Sequence, residues 1–225
     1  KLSFDSTIVG GVCMVGIPAA IQNLLNVTGM TILNNFTSSY GANAVAAMGI
    51  AQKINQVPFY IANGLSQGIM PLISYNYGAK KFHRVKATYL RTIIVGLIVG
   101  VIGWACFQFF TQEIINIFGQ ENELYNEFAL KCFHIFLGAI FLIGFLIPSG
   151  IFFQSIGKPT KAMICTLTRQ LLYSLPSAYI LSSIMGIDGL LYSGPVGDCL
   201  AAVTVAILIS GEMRIINRSI KEQNA

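Results

Sequence analysis

The stretch GLSQGIMPLISYNYGAKKFHRVK, Gly64 to Lys86, passes from small and apolar residues to a cluster of basic ones. Such an ending is typical of a helix that crosses a lipid bilayer and stops at charge. The whole chain has the same character, because 54% of its 225 residues are hydrophobic and only 10% are charged. Soluble domains carry roughly 25% charged residues, so lipid must be the solvent for much of the surface.

Six apolar runs are long enough to cross the hydrocarbon core of a bilayer, which needs about 20 residues per helix. Five of the runs contain prolines, which membrane helices tolerate because neighbouring groups re-satisfy the freed carbonyls. We therefore predict an all-α integral membrane protein, a bundle of six transmembrane helices. The predicted spans lie near residues 8–38, 44–75, 85–111, 124–153, 162–184 and 189–211.

The segments between these runs alternate in charge. Basic residues follow the second, fourth and sixth runs, whereas acidic residues follow the third and fifth. Since basic loops face the cytoplasm, we predict a multi-pass protein of a prokaryotic plasma membrane, with both ends of this chain in the cytoplasm. The segment 112–118 is predicted to be a short helix on the outer membrane surface. The chain begins at Lys1 without a visible signal peptide, and we interpret it as a piece of a longer protein.

The opening stretch also spells G-x-S-x-G, the motif of a serine hydrolase. A nucleophile elbow follows a strand and precedes a helix, whereas Ser66 lies inside a helical run. The two histidines, His83 and His134, are predicted to lie near opposite membrane faces, so neither is placed to act as a base for Ser66. The five cysteines lie singly, without the close pairs that a metal site or a disulfide needs. We expect neither an enzyme nor a bound metal or cofactor.

Small residues one helical turn apart occur in two of the predicted spans. The G-x-S-x-G letters place Gly64 four residues before Gly68, and the same spacing recurs at Gly96 and Gly100. Pairs of this kind allow membrane helices to approach closely. We predict that both pairs lie at helix–helix contacts.

Polar residues interrupt three of the predicted spans at helical spacing. In the second span five of them are three or four residues apart, which places them on one face. Because polar groups facing lipid are costly, these faces must point at each other or at water. Interhelical hydrogen bonds would satisfy single residues, whereas the whole set favours a water-filled, substrate-binding cavity. The predicted lining residues are Asn23, Asn26 and Asn34 in the first span, Lys53, Gln56, Tyr60, Asn63 and Gln67 in the second, and Tyr173 in the fifth.

Three charged residues lie deep within the predicted spans. A charge at mid-membrane costs roughly 3 kcal/mol or more on insertion scales. Lys53 and Asp198 lie at matching depths, so we predict that Asp198 pairs first with Lys53. Arg169 enters from the cytoplasmic side and is the alternative partner. The pair is either a static structural contact or one that opens when a proton or a substrate arrives.

Several segments, in order, resemble the multidrug and toxic compound extrusion (MATE) transporters. GIPAAIQNLL at 16–25, FQSIGKPTKAM at 153–163 and LYSGPVGDCLAAV at 191–203 are similar to segments of that family, and the resemblance covers about residues 8–215. In the family, the second helix of the half ends with Gly, Gln and Pro, followed by an Asn-x-Gly-Ala-basic loop. Here those positions are Gly64, Gln67, Pro71, Asn76, Gly78, Ala79 and Lys80.

The resemblance implies the second, C-terminal bundle of a twelve-helix transporter built from two six-helix lobes. It implies secondary active efflux of cationic amphipathic compounds, with the lobes alternating access around a V-shaped cavity. Sodium or protons would be transported in exchange, rather than held as a cofactor. The implied partners are the N-terminal six-helix lobe of the same chain, the lipid bilayer and small cationic organic substrates, with no nucleic acid.

The sequence departs from the family at one place. Some branches carry acidic residues in the first and fourth helices of this half as a cation site. Here Asn26 lies near the first position and apolar residues surround Phe145. We expect the coupling carboxylate to lie in the other half, although Asn26 can still contribute a neutral oxygen.

Two other functions remain open on the residues alone. A flippase for lipid-linked saccharides, from the same superfamily, needs more cavity charge to meet a pyrophosphate than Lys53 and Arg169 provide. A simple membrane anchor has no need for the polar stripes. We therefore favour efflux, with the flippase as the alternative.

Overall fold

The computed structural model describes residues 6–39, 41–118 and 123–224, and every regular element in these ranges is a helix. Two π-helical segments and one 3₁₀ turn lie between α-helices, at Cys132–Phe136, Thr168–Ser174 and Ile140–Leu142. The α-helices are α1 (Ser6–Ser38), α2 (Ala42–Gly78), α3 (Phe82–Phe109), α4 (Thr111–Phe118), α5 (Glu123–Lys131), α6 (Ile143–Ser155), α7 (Pro159–Leu167), α8 (Leu175–Met185) and α9 (Ile187–Asn224).

Each predicted span coincides with one helix or with a chain of consecutive helical segments. α1, α2 and α3 match the first three spans to within a few residues, and α4 matches the short helix predicted at 112–118. The largest departure is α9, which was predicted to end at 211 and continues to Asn224. At 1.5 Å per residue it is about 57 Å long, well beyond the roughly 30 Å of a hydrocarbon core. The basic tail is therefore helical.

The fourth and fifth spans are interrupted. The fourth is divided into Asn126–Phe136 and Ile140–Ser155, which meet at 42°. In the fifth span, the π-helical segment Thr168–Ser174 joins α7 directly to α8. Pro176 lies in the first turn of α8; it has no N–H to donate to the carbonyl of Leu172, four residues earlier, and its ring would clash with that carbonyl. That carbonyl lies inside the π segment, which provides a physical reason for the wider turn there.

Among the described residues, three helices are long and apolar enough to cross a membrane: α1, α3 and α9. The two bent segments of the fourth span make a fourth crossing if they are counted together as one span. α2 has 37 residues, but its polar stripe lowers its mean hydropathy, and the fifth span is divided into the short α7 and α8. The length and hydropathy of the helices thus support three or four of the six predicted crossings.

At two glycines, α3 packs closely against α6 and the 3₁₀ turn that precedes it. A Cβ atom added to Gly96 would collide with the backbone carbonyl of Gly144, and one added to Gly100 would lie 2.8 Å from the carbonyl oxygen of Phe141. Only residues without side chains allow backbones this close. The packing predicted for Gly96 and Gly100 is confirmed.

The other glycine pair has no packing partner among the described residues, so its predicted helix contact stays a prediction. No atom lies within 4 Å of a Cβ added to Gly64 or Gly68. Ser66, two residues from each, is fully buried, and its hydroxyl donates to the carbonyl of Ala62 at 2.6 Å. Since two residues correspond to about 200° around a helix, the glycines face away from the core when Ser66 faces it. Ser66 therefore lies inside α2, as predicted, and not on a nucleophile elbow.

The C-terminal part of α9 contacts the other basic segments at one end of the bundle. Its last turns contact the loop before α3 and the start of α7, so the basic residues after the second, fourth and sixth spans share one end. The contacts are Lys158 and Lys161 with Glu212, Lys86 Nζ with Asn217 Oδ1 at 2.8 Å, and Gln223 Nε2 with the Lys80 carbonyl at 2.9 Å.

Candidate functional site

A cavity of about 620 Å³ lies between α1, α2, the α5–α6 segment, the α7–π segment and α9. Its wall mixes aliphatic and aromatic side chains with many carboxamides, and no lysine lines it among the described residues. The carboxamide-bearing lining residues are Asn23, Gln52, Asn55, Gln56, Asn63, Gln67, Gln154 and Gln170.

The polar face of α2 forms one wall of this cavity. Gln56, Tyr60, Asn63 and Gln67 all line it, and Asn23 faces them from α1. Their spacing of three and four residues keeps them on one side of a straight helix. The structure therefore brings these five predicted residues together.

Arg169 and Asp198 form an ion pair in the cavity wall. The Nε atom of Arg169 donates to Oδ1 of Asp198 at 2.7 Å, and the two side chains are 24% and 14% exposed. α9 can approach the π segment closely because residue 197 is a glycine: a Cβ on Gly197 would collide with Ser174. This close approach places Asp198 beside Arg169.

The prediction that Asp198 pairs first with Lys53 is therefore wrong. Arg169, the predicted alternative, is its partner. Lys53 is exposed and forms no ion pair among the described residues, and it does not line the cavity. The cavity face of α2 runs through Gln52, Gln56 and Asn63. By helical spacing Lys53 lies only about 20° around α2 from Tyr60, yet its side chain is exposed and is not among those that line the cavity.

Tyr173 does not line the cavity either. Its hydroxyl forms a 2.8 Å hydrogen bond with Thr204 Oγ1 on α9. The prediction assumed α-helical spacing through the fifth span, but residues 168–174 are π-helical. A π turn has i→i+5 hydrogen bonds, so it rotates each later side chain relative to that spacing. Ser174 reaches the cavity wall instead.

Two predicted residues of α1 remain. Asn34 is exposed and is not part of the lining. Its neighbour Leu33 does line the cavity, so Asn34 lies at the same depth but about 100° further around α1. The Asn26 side chain lies outside the described part of the chain, so its predicted role stays a prediction.

Two carboxamides of the cavity wall, Gln52 and Asn55, were not predicted from the sequence. Gln52 is 8% exposed, and its Nε2 atom has no hydrogen-bond partner among the described residues; the same holds for Oδ1 of Asn55. Both side chains line the cavity, and the two unpaired atoms themselves are buried. The only sequence signal was the position of Gln52 beside the predicted stripe.

Glu212 was also missed, outside the cavity. It is fully buried, although it directly follows the predicted end of the sixth span. The ammonium groups of Lys158 and Lys161 both contact its carboxylate, the second at 2.8 Å. An acid directly after a predicted span and ahead of three basic residues was the available signal.

The fold and the cavity define a class: an all-α membrane protein that encloses a polar site between its helices. Comparison with known proteins identifies the family. The MatE family model matches residues 18–180, and the chain belongs to that family.

Relatives and solved structures agree with this assignment. The multidrug export protein MepA of Staphylococcus aureus (strain NCTC 8325 / PS 47) is 28% identical over 201 residues, covering 87% of this chain and 43% of MepA. The outward-facing structure of a multidrug resistance MATE family transporter of the MOP superfamily has a TM-score of 0.88 at 22% identity, covering 98% of this chain and 49% of that one. The MATE transporter VcmN of Vibrio cholerae in its bent form has a TM-score of 0.88 at 16% identity, with 96% and 49% covered.

This chain therefore spans a little under half the length of the relatives that it matches. Its fold is that of one half of such a transporter.

Proposed function

We propose that the full protein is a secondary active exporter of cationic amphipathic compounds, with this chain as its C-terminal six-helix lobe. The observation that carries the proposal is the Arg169–Asp198 ion pair in the wall of a carboxamide-lined cavity. The name of the relative MepA, a multidrug export protein, supports the substrate class.

The ion pair provides the chemistry for coupling. Asp198 is a carboxylate that one guanidinium neutralises, and a proton or a cationic group that reaches it competes directly with Arg169. An opposing gradient of protons or Na⁺ would then reset the pair after the substrate leaves. Coupling through this pair adds to the carboxylate expected in the other half.

The substrate would lie among amide and aromatic groups. Phe59 and Tyr60 of α2 line the cavity beside the amides of Gln56 and Asn63. Aromatic faces attract organic cations, and amides satisfy polar groups without imposing a charge. Such a wall suits amphipathic cations of varied shape.

Alternating access requires a second lobe. We propose that the N-terminal six-helix lobe of the same chain faces the cavity and that the two lobes rock around the bound substrate, as in transporters built from repeats. The exposed apolar side chains of α1 and α2, such as Val12, Val27 and Ile61, would then contact that lobe or lipid.

We also propose the orientation in the plasma membrane. The end that gathers the basic residues of the α2–α3 loop, the start of α7 and the end of α9 would face the cytoplasm. Both ends of this chain would then be cytoplasmic.

The flippase alternative gains no support from the cavity. Lys53 lies outside the lining, and Asp198 neutralises Arg169. Among the described lining residues no unpaired cation is left to bind a pyrophosphate.

Dye efflux tests the proposal. The full reading frame would be expressed in cells stripped of their own drug pumps, and loss of preloaded ethidium would be followed by fluorescence. We expect efflux several-fold faster than in cells with an empty vector, and collapse of that efflux with either a sodium ionophore or a protonophore. Efflux that survives both ionophores would rule out secondary transport, and absence of efflux would rule out the drug substrate class.

A further inference from the structure

A second concave site lies away from the transport cavity, at the basic end of the bundle. It is a groove of about 460 Å³ between the first turns of α3 and the last turns of α9. Its residues on α3 and on α9 are each spaced three and four apart, so one face of each helix forms each wall. The lining residues are His83, Lys86, Ala87 and Leu90 from α3, and Asn217, Ile220 and Lys221 from α9.

The charge of this groove is positive and uncompensated. Three of its side chains carry basic groups and none carries a carboxylate. The two acids on this part of α9 are engaged elsewhere: Glu212 contacts the lysines at the start of α7, and Glu222 pairs with Arg218 at 2.9 Å. No acidic side chain of the described residues is therefore paired with Lys86 or Lys221.

Lys86 is held in place without losing its charge. Its Nζ atom donates to Oδ1 of Asn217 at 2.8 Å, and its side chain is half-buried. An amide oxygen accepts one hydrogen bond but brings no negative charge, so the ammonium keeps two N–H groups for another acceptor. Lys86 is therefore a positioned cation with donor groups left for a further acceptor.

The groove is apolar on the side toward the middle of α3. Leu90 lies one turn beyond Lys86 and is 44% exposed, and Ile94, another turn on, is 57% exposed. α3 is long and apolar enough to cross a membrane. A molecule in the groove would thus meet cationic groups at one end and a hydrocarbon-facing surface at the other.

We propose that this groove binds the phosphate group of an anionic phospholipid, with the first methylenes of an acyl chain against Leu90. Basic pockets between helices on the cytoplasmic side of a membrane suit such headgroups. A free phosphate ion shares the anionic chemistry but has no use for the apolar side. The proposal does not depend on what the transport cavity carries.

Lipid retention tests the site on the full transporter. The wild-type protein would be extracted from membranes containing equal amounts of phosphatidylglycerol and phosphatidylcholine, and the retained lipids would be counted by native mass spectrometry. We expect an excess of phosphatidylglycerol on the wild type. In the double variant Lys86→Gln/Lys221→Gln the retained phosphatidylglycerol should fall at least five-fold.

Two further variants separate the groove from general charge and from misfolding. Lys53→Gln/Lys131→Gln removes the same charge from elsewhere in the chain and should retain phosphatidylglycerol like the wild type. Lys86→Arg/Lys221→Arg keeps both cations and should also retain it. Equal retention by the wild type and Lys86→Gln/Lys221→Gln would overturn the proposal, as would equal losses in all three variants.

A competition experiment distinguishes the two sources of phosphate. We expect that millimolar inorganic phosphate or glycerol phosphate leaves phosphatidylglycerol bound, because neither fills the apolar side. Displacement of the lipid by micromolar inorganic phosphate would overturn the lipid assignment and identify a site for the free ion.

Discussion

Arg169 and Asp198 are the residues on which the cavity's electrostatics depend. Both are less than one quarter exposed and face a cavity within the membrane bundle. A carboxylate in such a place is costly when it is alone. Arginine suits the position because its planar guanidinium stays charged and holds a carboxylate in fixed geometry, which a lysine ammonium does less well.

The energetic role of Arg169 can be measured against that of Lys53. Arg169→Met leaves Asp198 without its cation, and we expect a loss of roughly 2 kcal/mol in stability, below the 3–5 kcal/mol of fully buried pairs because some solvent reaches this one. Lys53→Met should change stability by less than about 0.5 kcal/mol, as exposed substitutions do. Thermal unfolding of the purified full-length protein in detergent gives both values. Equal destabilisation by the two variants would show that Lys53 shares the pair.

Helix order and most helix bounds could be predicted because they depend on the lengths of apolar runs, which the sequence displays directly. The end of α9 could not, because its last turns are rich in charge. The α2 wall could be predicted for a similar reason: α2 is α-helical throughout, so the spacing of Gln56, Asn63 and Gln67 translates into one face. Tyr173 could not be placed, because a π-helical segment changes the rotation per residue in the fifth span. The choice of Arg169 over Lys53 depended on a close approach at Gly197, which is a tertiary contact.

The close contact of α3 with α6 requires a residue without a side chain at position 96. Gly96→Ala would drive a Cβ into the Gly144 carbonyl, and we expect a destabilisation of about 1–3 kcal/mol, typical of overpacking. Gly103→Ala, on the same helix, is the matched control, because its Cβ would lie 3.7 Å from Pro58, an ordinary contact. That variant should be neutral or slightly stabilising. Thermal unfolding gives the melting temperatures of the two variants. Similar values would mean that the helices do not cross at Gly96.

Glu212 joins the end of α9 to the start of α7. Glu212→Gln removes the negative charge that Lys158 and Lys161 share, and we expect a loss of roughly 2 kcal/mol, reduced from the fully buried case because both lysines are partly exposed. Hydrogen exchange at the start of α7 should increase in the same variant. Glu222→Gln breaks only an exposed pair with Arg218 and should cost under about 1 kcal/mol. Unchanged hydrogen exchange at the start of α7 in Glu212→Gln would show that Glu212 does not hold α7 against α9.

At the scale of the whole molecule, the fold matches one half of the transporters on which it superposes. The chain covers 49% of the solved transporters that it superposes on, and its cavity is lined by amides that lipid would not solvate. We infer that the second lobe closes this cavity, so that the ion pair meets substrate from one side of the membrane at a time.

Asp198 is the first residue to change, because it is the carboxylate of the cavity's ion pair. Ethidium efflux would be compared between full-length wild-type protein, Asp198→Asn and Glu222→Gln, at matched expression in cells without other drug pumps. Glu222→Gln makes the same charge change on the same helix but outside the cavity. The account predicts efflux by the wild type and Glu222→Gln, and a loss of at least ten-fold in Asp198→Asn. Equal efflux by all three proteins would contradict it, because the ion pair would then play no part in transport.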